Sequence, residues 1–533
     1  MTTLSFSPFF PKPQQVTTTK RLNHTYVPRV SCKATDDTQN PATRRDVLIG
    51  LGGLYSATNL ADRTAYAKPI TPPDLTNCKL VDLPNPENPT DCCSPVPKKI
   101  IDFRPPSPSS PLRTRRAAHL VDEDYVAKYA KAISLMKSLP EDDPRNFYQQ
   151  ANVHCAYCDD AYEQVGFPKL ELDVHFCWLF FPWHRYYLYF YERILGKLIN
   201  DPTFALPFWN WDSPSDLDYA AGDPNPTNAN QVYSSNLRVM YKQMVSGAAK
   251  PTLFFGKPYR AGDDPRPGAG TIESIPHNNI HRWTGDPTQE NTEDMGNFYS
   301  AARDPIFFCH HSNVDRMWTI WKTIPGGLRR DISDPDWLNS EFLFYNENAE
   351  LVRCKVRDCL DNRRLRYTYQ NVDIPWLKSK PIPRRLGKKA AETKTALTPI
   401  TAFPLVLDKT IVTVVSRPKK SRSRKEKEEE DEVLVIEGIE YDNDKFVRFD
   451  VFINDDLEIP SKPENTEFAG SFVNVSHKRA KKSKTRLILG ITELLEDLET
   501  DGDDSIVVAL VPRSNSVSDP VVISGVKIEF VKD

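Results

Sequence analysis

The sequence predicts a mainly α-helical domain, built as a four-helix bundle, followed by a C-terminal β-sandwich. Two observations lead to this order. Between residues 117 and 330, apolar residues recur at the three- and four-residue spacing of amphipathic helices. From residue 401 onward, short apolar runs such as "TIVTVVS" and "FVRFDVFIN" are separated by polar turns, as in sandwich strands. A chain of 533 residues with 39% hydrophobic content can form more than one core.

The helical part begins with "VDEDYVAKYAKAISLMKSL", in which Asp122 is a suitable N-cap. A second helix is expected to begin near Pro182, and Pro305 marks the start of another, because proline is favoured in the first helical turn. The segment "SNLRVMYKQMVS" also has helical spacing. Four core helices with inward-facing side chains can enclose a metal site.

Six of the ten histidines fall into two groups within dense aromatic sequence. The first group is His154, His175 and His184, and the second is His277, His281 and His311. His277 and His281 are four residues apart, so they share one helix face. His175 and His184 are nine apart and would point to opposite faces of one straight helix, at about 100° per residue. We therefore place His175 just before a helix and His184 early within it.

Each group has the composition of a ligand set for one metal ion. Imidazole suits copper, zinc, iron and nickel, and two all-histidine trios favour a pair of coppers that binds dioxygen. Asp315 follows His311 by four residues and is expected to orient one of its ring nitrogens. Taken alone, a histidine near aromatic rings is more often a hydrogen-bonded core residue, and a single HxxxH would suggest zinc.

At these residues the chain resembles the plant polyphenol oxidases, the catechol oxidase and tyrosinase group of type 3 copper enzymes. The matching segments are "HCAYC", "VHFCWLFFPWHRYYLYFYERIL", "PFWNWD", "PHNNIHRWTG" and "DPIFFCHHSNVDRMW". The resemblance covers nearly the whole chain. It implies two copper ions per chain, CuA on the first histidine group and CuB on the second, with His310 a neighbour of the ligand His311.

The resemblance also implies a thioether bond between Cys158 and His175, which would fix the imidazole ring before metal binds. Without the resemblance, Cys155-x-x-Cys158 could equally be a redox pair or half a zinc site. Phe298 matches the aromatic gate above CuA.

Glu273 and Asn278 match a pair that holds a water able to deprotonate an incoming phenol. The alternatives are a solvated charge for Glu273 and a polar helix face for Asn278. Relatives often read "VHNSW" where this chain has Phe176 and Cys177. Arg282 stands at a variable position that influences substrate choice, so these positions leave the substrate open.

Three cysteines precede the first histidine group in a proline-rich stretch, where disulfides would be a reasonable restraint. The resemblance implies two bonds, Cys78–Cys93 and Cys92–Cys155. The remaining cysteines are expected to be unpaired: Cys32, Cys177, Cys309, Cys354 and Cys359.

The N-terminal region has the composition of targeting sequence. Residues 1–43 are rich in Ser, Thr and Pro with few acids, as in a chloroplast transit peptide. In residues 44–67, Arg44 and Arg45 precede a short apolar run that ends in "AYA", which indicates a twin-arginine signal for the thylakoid lumen. The alternative is an ordinary basic tail. The run is too short for a membrane span.

The rest of the chain divides into a catalytic domain (68–370), a protease-sensitive linker (371–400) and the β-sandwich (401–533). The charged run at 419–432 is expected to be a solvated hairpin loop. The resemblance implies that the sandwich covers the copper site and keeps the enzyme latent. Ile523 in "VVISG" is the candidate side chain at the entrance, and the alternative is an ordinary strand core residue.

The sequence therefore predicts oxidation of o-diphenols to o-quinones with reduction of dioxygen to water, with hydroxylation of monophenols left open. One alternative is a narrow-specificity enzyme of pigment or lignan biosynthesis, similar to the aurone synthases. Others are a haemocyanin-like oxygen carrier and a structural dizinc domain. The net charge of −3 gives no support for a nucleic-acid partner.

Overall fold

The structure is a computed structural model, and it describes residues 68–81, 90–213, 229–384, 397–456, 461–476, 482–514 and 521–532. These residues all belong to one compact unit of the chain. The two predicted targeting segments, 1–43 and 44–67, and Cys32 lie outside the described residues. Among the residues that are described, no helix has the length and apolar character needed to cross a bilayer.

The helices in the described part of the chain are α1 (Glu123–Lys137), α2 (Phe147–Cys158), α3 (Phe180–Leu198), α4 (Ala229–Tyr241), α5 (Pro251–Phe255), α6 (Asn278–Thr284), α7 (Ile306–Trp321), α8 (Pro335–Asn339), α9 (Arg424–Glu429) and α10 (Thr492–Asp497). The predicted helix starts are confirmed. Asp122 caps α1 by accepting the Tyr125 N–H at 2.8 Å, Pro182 lies in the first turn of α3, and α7 begins directly after Pro305.

The strands follow as β1 (Ile100–Asp102), β2 (Arg113–Arg115), β3 (Glu341–Tyr345), β4 (Leu351–Lys355), β5 (Tyr367–Tyr369), β6 (Leu405–Val406), β7 (Ile411–Ser416), β8 (Asp431–Asp442), β9 (Arg448–Ile453), β10 (Phe468–Val473), β11 (Lys482–Gly490), β12 (Ser505–Pro512), β13 (Val522–Ile523) and β14 (Gly525–Val531). Strands β6–β14 confirm that the C-terminal part is β-rich.

The C-terminal strands form two sheets, one with the order β10-β9-β12-β7 and the other with β11-β8-β13-β6, in which β14 also pairs with β8. One hydrophobic cluster contains buried residues from both sheets, for example Val451 of β9 and Ile436 of β8. The two layers therefore share a core. β7 and β8 lie in different sheets, so the charged run between them is not the expected hairpin. It contains α9, which Ser423 and Glu426 cap reciprocally.

The proline-rich segment that precedes α1 is tied to the helical part by strands and disulfides. β1 pairs in parallel with β4, and β2 with β5. Two disulfides are present, Cys78–Cys93 and Cys92–Cys155, which are the pairs that the resemblance implies. Because Cys155 follows His154, the second bond holds this segment beside the first histidine group.

The predicted linker is only partly described, since residues 385–396 lie outside the described ranges. Its first part is packed rather than exposed. Trp376 is fully buried and donates from Nε1 to Asp212 at 2.9 Å. Lys380 pairs with Glu493 at 3.0 Å and Asp497 at 2.8 Å, both from the C-terminal domain.

A buried ion-pair network joins α3, α7, β2 and β5. Asp315 of α7 accepts from Arg185 of α3 at 2.5 Å and from Arg115 of β2 at 3.2 Å. Its carboxylate also accepts from the hydroxyls of Tyr367 and Tyr369. Burial acts to raise the pKa of Asp315, but Arg185 and Arg115 hold that pKa below its usual range. The network therefore fixes α3 against α7 through satisfied charges.

Replacing Asp315 by Asn should lower the free energy of unfolding by about 3–5 kcal/mol, because buried guanidinium charges would lose their carboxylate. Chemical denaturation followed by circular dichroism measures this loss. Asp102→Asn is the matched control. Asp102 pairs with Arg353 at the surface, where its side chain is 74% exposed, and such pairs contribute about 0–1 kcal/mol. Equal losses in the two variants would contradict the role given to the network.

Candidate metal centre

Four helices each carry one predicted ligand: His154 on α2, His184 on α3, His281 on α6 and His311 on α7. His277 ends the wide turn Glu273–His277 that leads directly into α6. His175 lies in the loop before α3, as the nine-residue spacing to His184 predicts. The structure thus brings all six side chains into one core.

The ring nitrogens of the second group converge. His311 Nε2 lies 3.4 Å from His277 Nε2 and 3.2 Å from His281 Nε2. Imidazole nitrogens bind a divalent transition-metal ion such as Zn²⁺ at about 2.0–2.1 Å. Two nitrogens in a tetrahedral shell around one ion are then about 3.3–3.4 Å apart. The spacing of the three nitrogens therefore fits a shared metal ion.

The first group is built around His154 and His175. Their ligand atoms and the thiol of Cys158 lie within 4.8 Å of one another. The ring centroid of His184 is 5.1 Å from that of His175 and 5.8 Å from that of His154. His184 also stacks on His311, with centroids 4.2 Å apart and planes at 7°. This stack connects the two groups directly.

Four of the rings have a fixed tautomer, because Nδ1 donates to an oxygen that can only accept. The donor and acceptor pairs are His154 to the Phe298 carbonyl (3.0 Å), His184 to the Phe180 carbonyl (2.8 Å), His277 to Asn278 Oδ1 (2.8 Å) and His281 to the Met295 carbonyl (2.9 Å). In each ring the lone pair is then on Nε2, where a metal ion can bind.

Burial keeps these rings neutral. None of the six predicted ligands is more than 1% exposed. Burial lowers the pKa of His184 to about 3 and that of His281 to about 4. It also lowers the pKa values of His277 and His311 well below the usual range. A neutral imidazole offers the lone pair that a metal ligand needs.

His310 lies within the second group, since its ligand atoms and those of His277, His281 and His311 are all within 4.8 Å of one another. Its ring stacks on His277 with centroids 5.2 Å apart. The short nitrogen contacts nevertheless involve His311 Nε2 rather than His310. This geometry favours His311 as the ligand and leaves His310 as a packed neighbour.

Asp315 does not orient His311, which corrects the expectation drawn from the four-residue spacing. Its carboxylate is bound by Arg115, Arg185 and two tyrosines. His311 Nδ1 is buried without a hydrogen-bond partner in the described part of the chain. Asp315 and His311 share a helix face, but the carboxylate binds the charged guanidinium groups of Arg115 and Arg185 rather than the imidazole ring.

Phe298, Glu273 and Asn278 all lie beside the histidines. The Phe298 ring is 4.3 Å from that of His175. Glu273 is 1% exposed; its Oε1 accepts the Phe176 N–H, while its Oε2 has no partner among the described groups. Burial raises the pKa of Glu273 well above its usual range.

Asn278 is held on two sides, since Oδ1 accepts from His277 and Nδ2 donates to the Val473 carbonyl at 2.6 Å. One amide hydrogen remains for another partner. Val473 belongs to β10, so the C-terminal domain reaches this side chain directly.

The segment that follows β10 contacts Phe298 beside the histidines. Phe298 donates its N–H to the Ser476 carbonyl at 3.2 Å, and Val475 belongs to the same hydrophobic cluster as Phe298. Ile523, the expected side chain at the entrance, is instead fully buried among strands of the C-terminal domain. It lies in β13 opposite Leu405 of β6 as an ordinary core residue, so the structure corrects this expectation.

Two aromatic residues at the centre were not singled out from the sequence. Phe180 lies 4.7 Å from both His184 and His277, and Phe307 lies 4.2 Å from His311. Each precedes a histidine by four residues on the same helix, so the i, i+4 spacing could have identified both. They fill the space around the rings and exclude water.

Three family models match the chain. "Common central domain of tyrosinase" matches residues 144–236 and 218–324, "Polyphenol oxidase middle domain" matches 331–382, and "Chloroplastic Polyphenol Oxidase C-terminal domain" matches 403–530. Together these models account for the helical part that holds the histidines and for the C-terminal sheets.

Individual relatives match over nearly the full length. A chloroplastic polyphenol oxidase of Malus domestica is 54% identical, over 99% of this chain and 97% of its own. Aureusidin synthase of Antirrhinum majus is 51% identical, over 94% and 98%. The solved structure of latent apple tyrosinase is 57% identical, covers 81% of this chain and 100% of its own, and has a TM-score of 0.76. The chain therefore belongs to the plant polyphenol oxidase family.

Proposed function

We propose that this protein oxidises o-diphenols to o-quinones and reduces dioxygen to water, using two copper ions. CuA would be held by His154, His175 and His184, and CuB by His277, His281 and His311. The observation that carries the proposal is the contact between the two groups, in which His184 stacks on His311 at 4.2 Å. Two ions held there would be neighbours, and α2, α3, α6 and α7 would form the predicted four-helix bundle around them.

The donor set supports copper. Imidazole binds both copper and zinc, but zinc has no redox chemistry, whereas relatives of this chain are named polyphenol oxidase and catechol oxidase. Bound copper would supply the redox chemistry by which two o-diphenols give up two electrons and two protons each, and these four electrons and four protons reduce one dioxygen to two waters. The protein supplies position and a dry pocket. The proximity of Cys158 to His175 supports the proposed thioether bond, which would fix the His175 ring.

Residues beside the copper ligands would orient the phenol. Phe298 lies against His175 and offers a ring face on which the aromatic substrate can pack. Glu273 Oε2 has no described partner and can hold a proton or a water. Together with the remaining amide hydrogen of Asn278, it would assist deprotonation of the phenol hydroxyl. Hydroxylation of monophenols would depend on this pair.

The C-terminal domain would keep the enzyme latent. Its segment Val473–Ser476 contacts Asn278 and Phe298, which supports a role in keeping phenols from the centre while the segment is in place. Val475 is the residue that we propose as the cover, in place of Ile523. Relatives named chloroplastic support import into the chloroplast, and the twin-arginine pattern would direct the protein to the thylakoid lumen.

A narrower phenolic substrate is the second candidate function. Aureusidin synthase is 51% identical to this chain. Arg282 supports the idea that substrate choice depends on residues near the centre, because it follows His281, donates to Thr292 at 2.6 Å and lies 4.8 Å from the Phe446 ring. Loss of the C-terminal domain would remove the Phe446 ring from this guanidinium, which could then contact a polar substrate.

Replacing His184 by Ala should remove copper from the first group, and His281→Ala should remove it from the second. Each variant loses one of three imidazole ligands, so each should retain about one copper per chain. Elemental analysis after dialysis measures the metal content. His119→Ala, at a histidine outside both groups, is the control and should retain both ions. Full oxidase activity with one copper per chain would refute the proposed mechanism.

Cleavage within residues 385–396 should raise oxygen uptake with catechol by about tenfold or more, which corresponds to about 1.4 kcal/mol of docking free energy for the cover. An oxygen electrode measures uptake before and after cleavage of the copper-loaded chain. Equal uptake in the two states, with two coppers confirmed, would argue against latency. No uptake in either state would favour a narrower substrate.

Replacing Val475 by Ala should raise catechol oxidation in the uncleaved chain, because the cover would lose packing against the cluster that contains Phe298. Ile523→Ala is the comparison, measured below the unfolding temperature, and should raise oxidation less. A larger rise for Ile523→Ala would restore the original assignment of the cover.

A further inference from the structure

The loop that carries His175 is attached to the C-terminal domain. Phe176 is 2% exposed, and the other buried members of its hydrophobic cluster all come from residues 407–528. Its ring centroid lies 6.4 Å from that of Phe472 in β10. A side chain adjacent to a proposed copper ligand therefore belongs to the core of the β-sheets.

The backbone of Phe176 is in a conformation that bulky residues rarely adopt, with φ at 53°. Such a conformation persists only where the surroundings over-determine it. The Phe176 N–H donates to Glu273 Oε1 at 2.5 Å, and its carbonyl accepts from the Gly268 N–H at 2.7 Å. Burial of the ring in the sheet core is a third restraint, and this one depends on the C-terminal domain.

A second attachment lies on the other side of His175. Asp173 Oδ1 accepts the His175 N–H at 2.8 Å, and Asp173 Oδ2 accepts from Arg266 Nε at 2.6 Å. Arg266 in turn donates to Ser483 Oγ at 2.9 Å, and its carbonyl accepts from the Thr485 hydroxyl at 2.8 Å. Both of these partners belong to β11. The C-terminal domain thus contacts both flanks of His175.

We propose that the docked C-terminal domain positions His175 and so determines how firmly the ion at the first histidine group is held, in addition to covering the site. Phe176 and Arg266 are the positioning residues. This inference rests on the proposed copper function. Residues that orient a metal ligand contribute about ten- to a hundredfold to metal affinity. The domain that blocks the site would therefore also complete one half of it.

Phe176→Ala, made in the copper-loaded chain with both domains present, tests the inference. One of the two copper equivalents should transfer to a chelator about ten- to a hundredfold faster than in the wild type, while the other leaves at the wild-type rate. Hydrogen–deuterium exchange at the amides of residues 173–177 should increase. Wild-type rates for both equivalents would overturn the inference.

Leu253→Ala is the matched control. Leu253 of α5 is 4% exposed and packs in one cluster with Val433 and Val435 of β8. Its truncation also removes an apolar contact between the helical part and the sheets, but at a position outside the His175 loop. This variant should lose both coppers at wild-type rates. If Leu253→Ala accelerated copper transfer as much as Phe176→Ala, the cause would be weaker packing between the helical part and the sheets in general, and the inference would be overturned.

Ser483→Ala tests the positioning of His175 if Phe176→Ala does not fold. It removes the hydroxyl that Arg266 contacts and leaves the loop sequence unchanged. Faster transfer of one copper equivalent supports the inference, and unchanged transfer of both overturns it. A wild-type chain that binds fewer than two coppers would refute the proposed function. Two retained coppers with no effect of these substitutions would refute only the positioning role.

Discussion

The rest of the structure depends on burying six imidazoles in one core, where hydrogen bonds from Nδ1 leave the Nε2 lone pairs of His154, His184, His277 and His281 for a metal ion. A buried polar atom without a partner costs free energy, so the Nδ1 atoms of these rings require acceptors. The backbone carbonyls of Phe180, Met295 and Phe298 accept from His184, His281 and His154. These acceptors come from α3 and from the segment between α6 and α7.

The ion-pair network lies directly behind this core and aligns the same helices. Arg185 follows His184 on α3, and Asp315 lies one turn beyond His311 on α7. The bond between Arg185 and Asp315 therefore joins the two helices whose histidines stack at 4.2 Å. The Arg185 guanidinium and the Asp315 carboxylate are both charged and buried, so each needs a partner of opposite charge. The pair fixes the relative rotation of the helices, and hence the distance between the two histidine groups.

Local spacing predicted the helices and the histidine groups, because a helix start and an i, i+4 face are properties of neighbouring residues. The predictions that were wrong all concern which residues, distant in the sequence, would contact one another. The spacing placed Asp315 near His311 but could not show that Arg115 and Arg185 would bind its carboxylate. A strand pattern identified β13 but could not show that Ile523 would face the sheet core, or that the segment after β10 would bond to Phe298. Sequence proximity suggested a hairpin between β7 and β8, although each strand found its partners in a different sheet.

The C-terminal domain contacts the residues that accept hydrogen bonds from the histidines, so its proposed covering role and its support of the rings use the same contacts. Ser476 and Val473 bond to Phe298 and Asn278, and those two residues accept from His154 and His277. A covering segment attached to the acceptors of the ligands necessarily affects ring orientation as well as access. Phe176 extends the same relation to His175, with its ring in the sheet core and its N–H on Glu273. If the proposed cover left, the entrance would open and these groups would lose their contacts with the domain at the same time, so the proposal implies a centre whose geometry differs between the covered and uncovered states.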